Sequence, residues 1–191
     1  MGGVQDKADK QKLGAAVFGR QSSQVRLLIC VFARNRNMYD WQMLYEENQQ
    51  FFRALAPGME IIFALANEED FTRQVAAADI VFFSGGDSVP LYSALARIGN
   101  EWMDHLDGKT VIGTSAGSDM LSAYIYDLQQ GALDLGLGLV KVKTIPHYGG
   151  GKEHEPEIGW EKALEELRGY GEDLPVYALR EGEFISLTSD I

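Results

Sequence analysis

The stretch TVIGTSAGSDM, residues 110–120, joins a short β-branched run to a glycine-flanked serine and then to residues that favour a helix. This is the G-x-S-x-G pattern in its strand–turn–helix context. A tight strand-to-helix turn holds its serine at a strained backbone angle, so the flanking residues must be small. The pattern predicts that Ser115 is a nucleophile at the carboxyl end of a strand. An ordinary βα turn with an N-capping serine is the alternative interpretation.

Apolar runs of strand length alternate with helix-length segments along the rest of the chain. This alternation predicts an α/β fold with a mostly parallel sheet covered by helices on both faces. Residues 1–24 are polar and predict a weakly ordered start with at most one short helix. Residues 175–190 predict a terminal hairpin that turns at 180–182. The other predicted strands are residues 25–33, 59–65, 79–84, 110–112 and 141–146.

Composition restricts the classes of function. A chain of 191 residues, 46% hydrophobic and 24% charged, predicts a single globular domain spanning 1–191. Its net charge of −11 argues against nucleic acid and anionic membranes as partners. Cys30 is the only cysteine, so no intrachain disulfide forms, and its apolar surroundings predict an inert thiol. The chain has no apolar segment typical of a membrane span or signal peptide, so a cytoplasmic location is expected.

A serine nucleophile needs a base, and the chain contains three histidines. His147 directly follows a predicted strand, at the sheet edge where Ser115 is expected. His105 lies near a helix end and His154 lies among charged residues. Position therefore predicts His147 as the base, with a structural loop histidine as the alternative.

The base should be oriented by a carboxylate. Asp127 and Asp134 both lie between Ser115 and His147 in the chain. Asp127 is favoured because it follows the helix expected after the serine turn, whereas Asp134 is equally suited to a turn. Asp119 is too near the serine turn to reach around the imidazole.

Backbone N–H groups are the expected donors to a developing oxyanion. Ala116 supplies one because it follows the nucleophile, and Gly86 supplies the other because a glycine lets the backbone approach a substrate. A flexible turn is the alternative interpretation of the Gly85-Gly86 pair. No metal and no cofactor are predicted, since three scattered histidines and one cysteine do not form a ligand set.

Four segments together resemble the S51 serine peptidases, the family that contains peptidase E (aspartyl dipeptidase) and cyanophycinase. In order, they are VFFSGGDS, GTSAGS, LGLGLVKVKTIPHY and VYALREGEFISL. The resemblance runs from about Val25 to Leu187. It implies a three-layer sandwich, flavodoxin-like or class I glutamine amidotransferase-like, with a Ser–His–acid triad. The implied triad is Ser115, His147 and Asp127, and the implied oxyanion donors are Gly86 and Ala116.

The chain departs from the family pattern in two places. Peptidase E-like proteins usually open with a strand that enters a glycine loop, and residues 1–24 contain no such strand. An edge left open in this way would suit a homodimer. Relatives specific for aspartate carry an arginine after the Pro-His-Tyr motif, but residues 149–158 contain none, which leaves Lys152 or Arg180 as cations. The residues predicted to contact the substrate are Gly85, Ser88, Tyr148 and Arg180.

Together these features predict a serine peptidase that hydrolyses dipeptides or short peptides through an acyl-enzyme. A preference for aspartate is left open, and Ser88 stands where relatives often have asparagine or glutamine. A small peptide is the expected partner. An esterase or amidase with the same triad and a non-catalytic binding protein are the alternatives.

Overall fold

The computed structural model describes residues 7–21, 23–151 and 154–188. Helices and strands alternate along the chain as far as the turn at Ser115, and most of the elements after that turn are strands. In chain order they are α1 (Lys7–Phe18), β1 (Gln24–Cys30), α2 (Trp41–Leu55), β2 (Glu60–Leu65), α3 (Phe71–Ala77), β3 (Ile80–Phe83), α4 (Ser88–Ile98), a 3₁₀ helix (Glu101–His105), β4 (Thr110–Gly113), α5 (Ala116–Leu121), β5 (Ser122–Asp127), β6 (Ala132–Leu135), β7 (Val140–Pro146), α6 (Trp160–Gly169) and β8 (Val176–Leu179).

The strands form two four-stranded sheets. The first has the order β2-β1-β3-β4 and is parallel throughout. The second has the order β6-β5-β7-β8, in which only the β5–β6 pair is antiparallel. The predicted α/β sandwich with a mostly parallel sheet is confirmed. The carboxyl ends of the parallel strands collect the loops that carry the candidate site, as such sheets do.

Three segments differ from their predicted structures, and one of them is β6, which was not predicted as a strand. The helix after the serine turn ends at Leu121, and the chain continues as β5 because the Tyr-Ile-Tyr run of residues 124–126 favours a strand. The predicted terminal hairpin is not formed. β8 pairs in parallel with β7, and residues 183–188 form no strand beside it.

The first sheet is buried by aromatic side chains on both faces. Neighbouring residues of β3 point in opposite directions, so Phe83 packs against Phe71 and Trp102 while Phe82 packs against Phe52. The second face is closed by α1 and α2, and three α1 side chains are buried there: Leu13, Val17 and Phe18. Residues 1–6 and residue 22 of the segment predicted to be weakly ordered lie outside the described residues.

The structure bears on two expectations from the sequence, the inert thiol of Cys30 and the lack of a membrane-spanning segment. Cys30 is buried in β1, and burial raises the pKa of its thiol to about 12, so the thiol stays protonated near neutral pH. Within the described ranges, no helix combines the length and the apolar character needed to cross a membrane.

Lys143 of β7 is a charged side chain inside the second sheet. Only 1% of Lys143 is exposed, and its amine donates to the carbonyl oxygens of Arg168 at 2.8 Å and Tyr170 at 2.6 Å. These carbonyls end α6, where a cation also interacts favourably with the helix dipole. Lys143 therefore fastens α6 to the strand that leads into His147.

We expect Lys143→Met to lower the free energy of unfolding by about 3 kcal/mol, because two part-buried hydrogen bonds from the buried amine to the end of α6 are lost. Urea unfolding followed by circular dichroism measures the change. Lys141→Met is the matched control, since Lys141 lies on the same strand and is exposed. Equal losses in the two variants would contradict the role assigned to the Lys143 amine.

Candidate active site

Ser115 occupies the sharp turn between β4 and α5. Its backbone has φ 48° and ψ −121°, a conformation that residues with side chains rarely adopt. The flanking glycines are sterically required. A Cβ added at Gly113 would lie 2.4 Å from the carbonyl oxygen of Gly117, and one at Gly117 would lie 2.3 Å from that of Phe83. The turn therefore has the strand–turn–helix geometry in which the G-x-S-x-G pattern presents a hydroxyl.

His147 follows β7 directly and faces this hydroxyl. Its Nε2 lies 2.9 Å from Ser115 Oγ, within hydrogen-bond distance. Its backbone also has a positive φ, 60°, and the next N–H, that of Tyr148, donates to Leu179 O at 3.0 Å. The structure thus brings together the predicted nucleophile and the predicted base, one from each sheet.

Glu181 contacts the other nitrogen of the imidazole. Its Oε1 forms a short contact with His147 Nδ1. The β7–β8 register pairs Pro146 with Leu179, so the residues just beyond these strands lie side by side. The sequence pattern places Glu181 only in a predicted hairpin turn and misses this contact. The signal that identifies His147, a polar residue just past a strand at the functional edge, applies equally to Glu181.

Asp127 is not brought to His147. Its carboxylate accepts hydrogen bonds from the backbone N–H groups of Gln129 and Gln130, from the Gln130 amide, and from Ser88 Oγ at 3.4 Å. These contacts hold the carboxylate in the turn after β5. The predicted pairing of Asp127 with the imidazole is therefore corrected, and the carboxylate in contact with His147 is that of Glu181.

Asp134, the alternative acid, also lies elsewhere. It is exposed on β6, where its side chain accepts a hydrogen bond from the backbone N–H of Leu135 at 2.8 Å. Like Asp127, it accepts hydrogen bonds from backbone N–H groups close to it in the chain and none from the imidazole. Neither aspartate that the chain order favoured contacts His147.

The predicted oxyanion donors flank the nucleophile. Gly86 has φ 153°, and a Cβ there would lie 2.2 Å from Ala33 O, so only glycine fits. A Cβ at Gly85 would lie 3.0 Å from Ser115 Cβ, which places this loop against the nucleophile. Among the described residues, no acceptor takes a hydrogen bond from the backbone N–H of Gly86 or Ala116. Both donors are therefore available to a bound group.

The other residues predicted to contact the substrate differ in their burial and in their contacts. Ser88 is buried and donates to Asp127, whereas Tyr148 packs edge-on against Trp160 with ring centroids 5.4 Å apart. Arg180 is exposed, and its backbone N–H donates to Glu183 Oε2 at 2.9 Å. Lys152 lies outside the described residues.

His154 is a neighbour that its charged surroundings in the sequence do not predict. Its ring stacks on that of His147 with centroids 4.6 Å apart and an interplanar angle of 17°.

The structure also bears on the prediction that the chain holds no metal. In the part of the chain that the structure describes, no three His, Cys, Asp or Glu side chains group so that they could hold a metal ion.

Asp119 lies beneath the site, on the helix that follows the nucleophile. It is 8% exposed, and its Oδ1 accepts a hydrogen bond from Thr144 of β7 at 3.2 Å. Burial raises the pKa of Asp119 well above its usual range, and the nearby charge of Asp127 adds to the increase. Asp119 therefore links the helix of Ser115 to the strand of His147.

A family model described as peptidase family S51 matches residues 30–190. A candidate peptidase E protein from Listeria monocytogenes EGD-e has a TM-score of 0.64 at 19% identity, covering 92% of this chain and 87% of that one. A peptidase from an acI-B1 Actinobacterium has a TM-score of 0.52 at 19% identity, covering 94% and 78%. No protein with a curated description matches the chain.

Asp119 predicts a pH dependence of stability. Between the ordinary aspartate pKa, about 3.9, and its raised folded value, the folded state holds a proton that the unfolded state has lost. This contribution to the free energy of unfolding should therefore fall as pH rises through that window. In urea titrations at several pH values, the free energy of unfolding should fall less steeply with rising pH for Asp119→Asn than for wild type. Exposed Asp134→Asn is the control, and an Asp119→Asn profile parallel to wild type would contradict the prediction.

Proposed function

The chain belongs to peptidase family S51, and from this membership we propose that it is a serine peptidase that hydrolyses dipeptides or the amino termini of short peptides through an acyl-enzyme. The proposal is supported above all by the 2.9 Å hydrogen bond between Ser115 Oγ and His147 Nε2. A hydroxyl is a weak nucleophile until an adjacent base can take its proton. The same bond would serve both proton transfers of the reaction.

In the proposed reaction, Ser115 Oγ attacks the scissile carbonyl carbon while His147 takes the hydroxyl proton. The carbonyl oxygen becomes an oxyanion, which the N–H groups of Gly86 and Ala116 would stabilise. Collapse of the tetrahedral intermediate breaks the C–N bond, and His147 gives its proton to the leaving amine. Water, deprotonated by His147, then releases the acyl group and restores the Ser115 hydroxyl.

Glu181 is the proposed orienting acid. A carboxylate on Nδ1 keeps the proton of the neutral imidazole on that nitrogen, which leaves Nε2 free to accept from Ser115. It also stabilises the imidazolium that forms during attack. The contact between Glu181 Oε1 and His147 Nδ1 supports this assignment. Asp127 has a different proposed role, which is to order the turn after β5 and the start of α4 through Ser88.

Ser115→Ala tests the proposal. We expect dipeptide hydrolysis to fall by about a thousandfold or more, and covalent labelling by a fluorophosphonate to disappear. Exposed Ser186→Ala is the matched control and should behave as wild type. Hydrolysis of small esters without any dipeptide cleavage would instead indicate an esterase. Absence of both labelling and hydrolysis in the wild type would indicate a binding protein.

Glu181→Gln and Asp127→Asn together identify the orienting acid. Because an amide cannot stabilise the imidazolium, we expect Glu181→Gln to lower kcat/KM by about 10²- to 10⁴-fold. Asp127→Asn should lower kcat/KM by less than about tenfold, since among the described residues its side chain forms no hydrogen bond with the imidazole and the amide keeps one accepting oxygen. Steady-state kinetics with folded proteins measure both, and the reverse order would refute the assignment of Glu181.

A further inference from the structure

We propose that Arg34 binds a carboxylate of the peptide substrate beside Ser115. This inference rests on the proposed function and deepens it, because it assigns a specificity-determining residue. Arg34 lies in the loop between β1 and α2 and is half-buried. It lies far in the chain from residues 149–158, where the sequence lacks an arginine.

Two short contacts place Arg34 against the loop that borders the nucleophile. Its Nε donates to the carbonyl oxygen of Gly85 at 3.1 Å. Its Cδ lies 3.0 Å from the position of a Cβ on Gly86. A Cβ on Gly85 would in turn lie 3.0 Å from Ser115 Cβ. The guanidinium is therefore separated from the nucleophile by the width of one glycine loop.

The loop that carries Arg34 is held in place by aromatic residues. Trp41 Nε1 donates to the carbonyl oxygen of Arg34 at 2.7 Å. The guanidinium carbon lies 5.2 Å from the centroid of the Tyr39 ring, within the range of a cation–π contact. A side chain fixed in this way loses little further conformational entropy when it binds a ligand.

The charge of Arg34 has no carboxylate partner within 4 Å in the described ranges. Its Nε is used by Gly85, and no described residue accepts a hydrogen bond from its two terminal nitrogens. Arg97 and Arg73 differ, since Arg97 donates through two nitrogens to Glu68 and Arg73 pairs with Asp70. Arg34 therefore keeps two donors in the geometry that suits a carboxylate.

Arg34 also lines a cavity of about 820 Å³. Three acidic residues share its wall: Glu68 and Asp70, which are paired with arginines, and Glu69, which is exposed. Arg36 adds a second cation to the wall, with its guanidinium carbon 5.0 Å from the centroid of the Trp41 ring. Arg34 and Arg36 are cations of this wall that have no carboxylate partner within 4 Å among the described residues.

A dipeptide offers carboxylates at the required range. Its terminal carboxylate, and the side-chain carboxylate of an acidic first residue, both lie within about one residue length, ~3.8 Å, of the scissile carbonyl. Both present the same planar anion to a guanidinium. Peptides that lack both groups offer Arg34 no charged partner, so Arg34 should contribute little to their affinity.

Calorimetric binding to the Ser115→Ala protein tests the inference without hydrolysis. Three peptides separate the carboxylates: Ala-Leu carries the terminal one, Asp-Leu amide the side-chain one, and Ala-Leu amide neither. We expect adding Arg34→Gln to weaken at least one of the first two by about ten- to a hundredfold and Ala-Leu amide by less than about twofold. The peptide that loses affinity identifies which carboxylate is bound. Arg53→Gln is the matched control, since exposed Arg53 also stacks on a ring but lies outside the cavity wall.

Equal weakening of all three peptides would show that Arg34 only positions the Gly85-Gly86 loop, and would overturn the inference. Unchanged affinities, or no binding by any peptide, would overturn it as well. Hydrolysis by the wild-type protein tests the function separately. If wild type cleaves no peptide while Ser115→Ala binds carboxylates through Arg34, the inference holds and the peptidase proposal fails. If wild type cleaves peptides regardless of their carboxylates, the peptidase proposal holds and the inference fails.

Discussion

The hydrogen bond between Ser115 and His147 joins the two sheets at their functional edge. Both residues have positive φ angles without being glycine, a conformation that costs about 1–3 kcal/mol at each position. Surrounding contacts must therefore impose these angles. At Ser115 the flanking glycines allow β4, β3 and α5 to approach closely enough to do so. At His147 the peptide group that follows is held by two hydrogen bonds, because Tyr148 N–H donates to Leu179 O and Gly150 N–H donates to His147 O.

The helix α5 connects the two halves of this arrangement. It starts at the nucleophile and packs against β4 of the first sheet and against β5 and β7 of the second. Asp119 strengthens the connection through Thr144, and Ser122 Oγ lies 2.8 Å from Thr144 Oγ1. A buried carboxyl with a raised pKa is unfavourable when charged, so we interpret Asp119 as a residue that fixes the position of α5 against β7 through its hydrogen bond with Thr144.

The sequence predicted those site residues whose positions depend on their immediate neighbours in the chain. Ser115 follows from its glycines, and His147 follows from its place just past a strand. Glu181 also lies just past a strand, but its contact with His147 was missed because that contact depends on the parallel pairing of β8 with β7, whereas a hairpin was predicted there. Asp127 was favoured by chain order alone, while its turn and Ser88 determine where its carboxylate points. The strand β5 was missed because no turn residue separates it from α5, so the helical pattern was extended too far.

The charge of the chain and the charge of its site act over different distances. A net charge of −11 repels an acidic peptide at long range, but salt screens that repulsion beyond roughly 10 Å at 0.1 M ionic strength. A guanidinium in direct contact with a carboxylate is screened much less, particularly in a half-buried position. Recognition of an acidic substrate is therefore compatible with an acidic protein only where a cation without a carboxylate partner lies within contact distance of the reacting group. Arg34, next to the loop that touches Ser115, is the residue proposed for that contact, whereas Arg97 is already paired with Glu68.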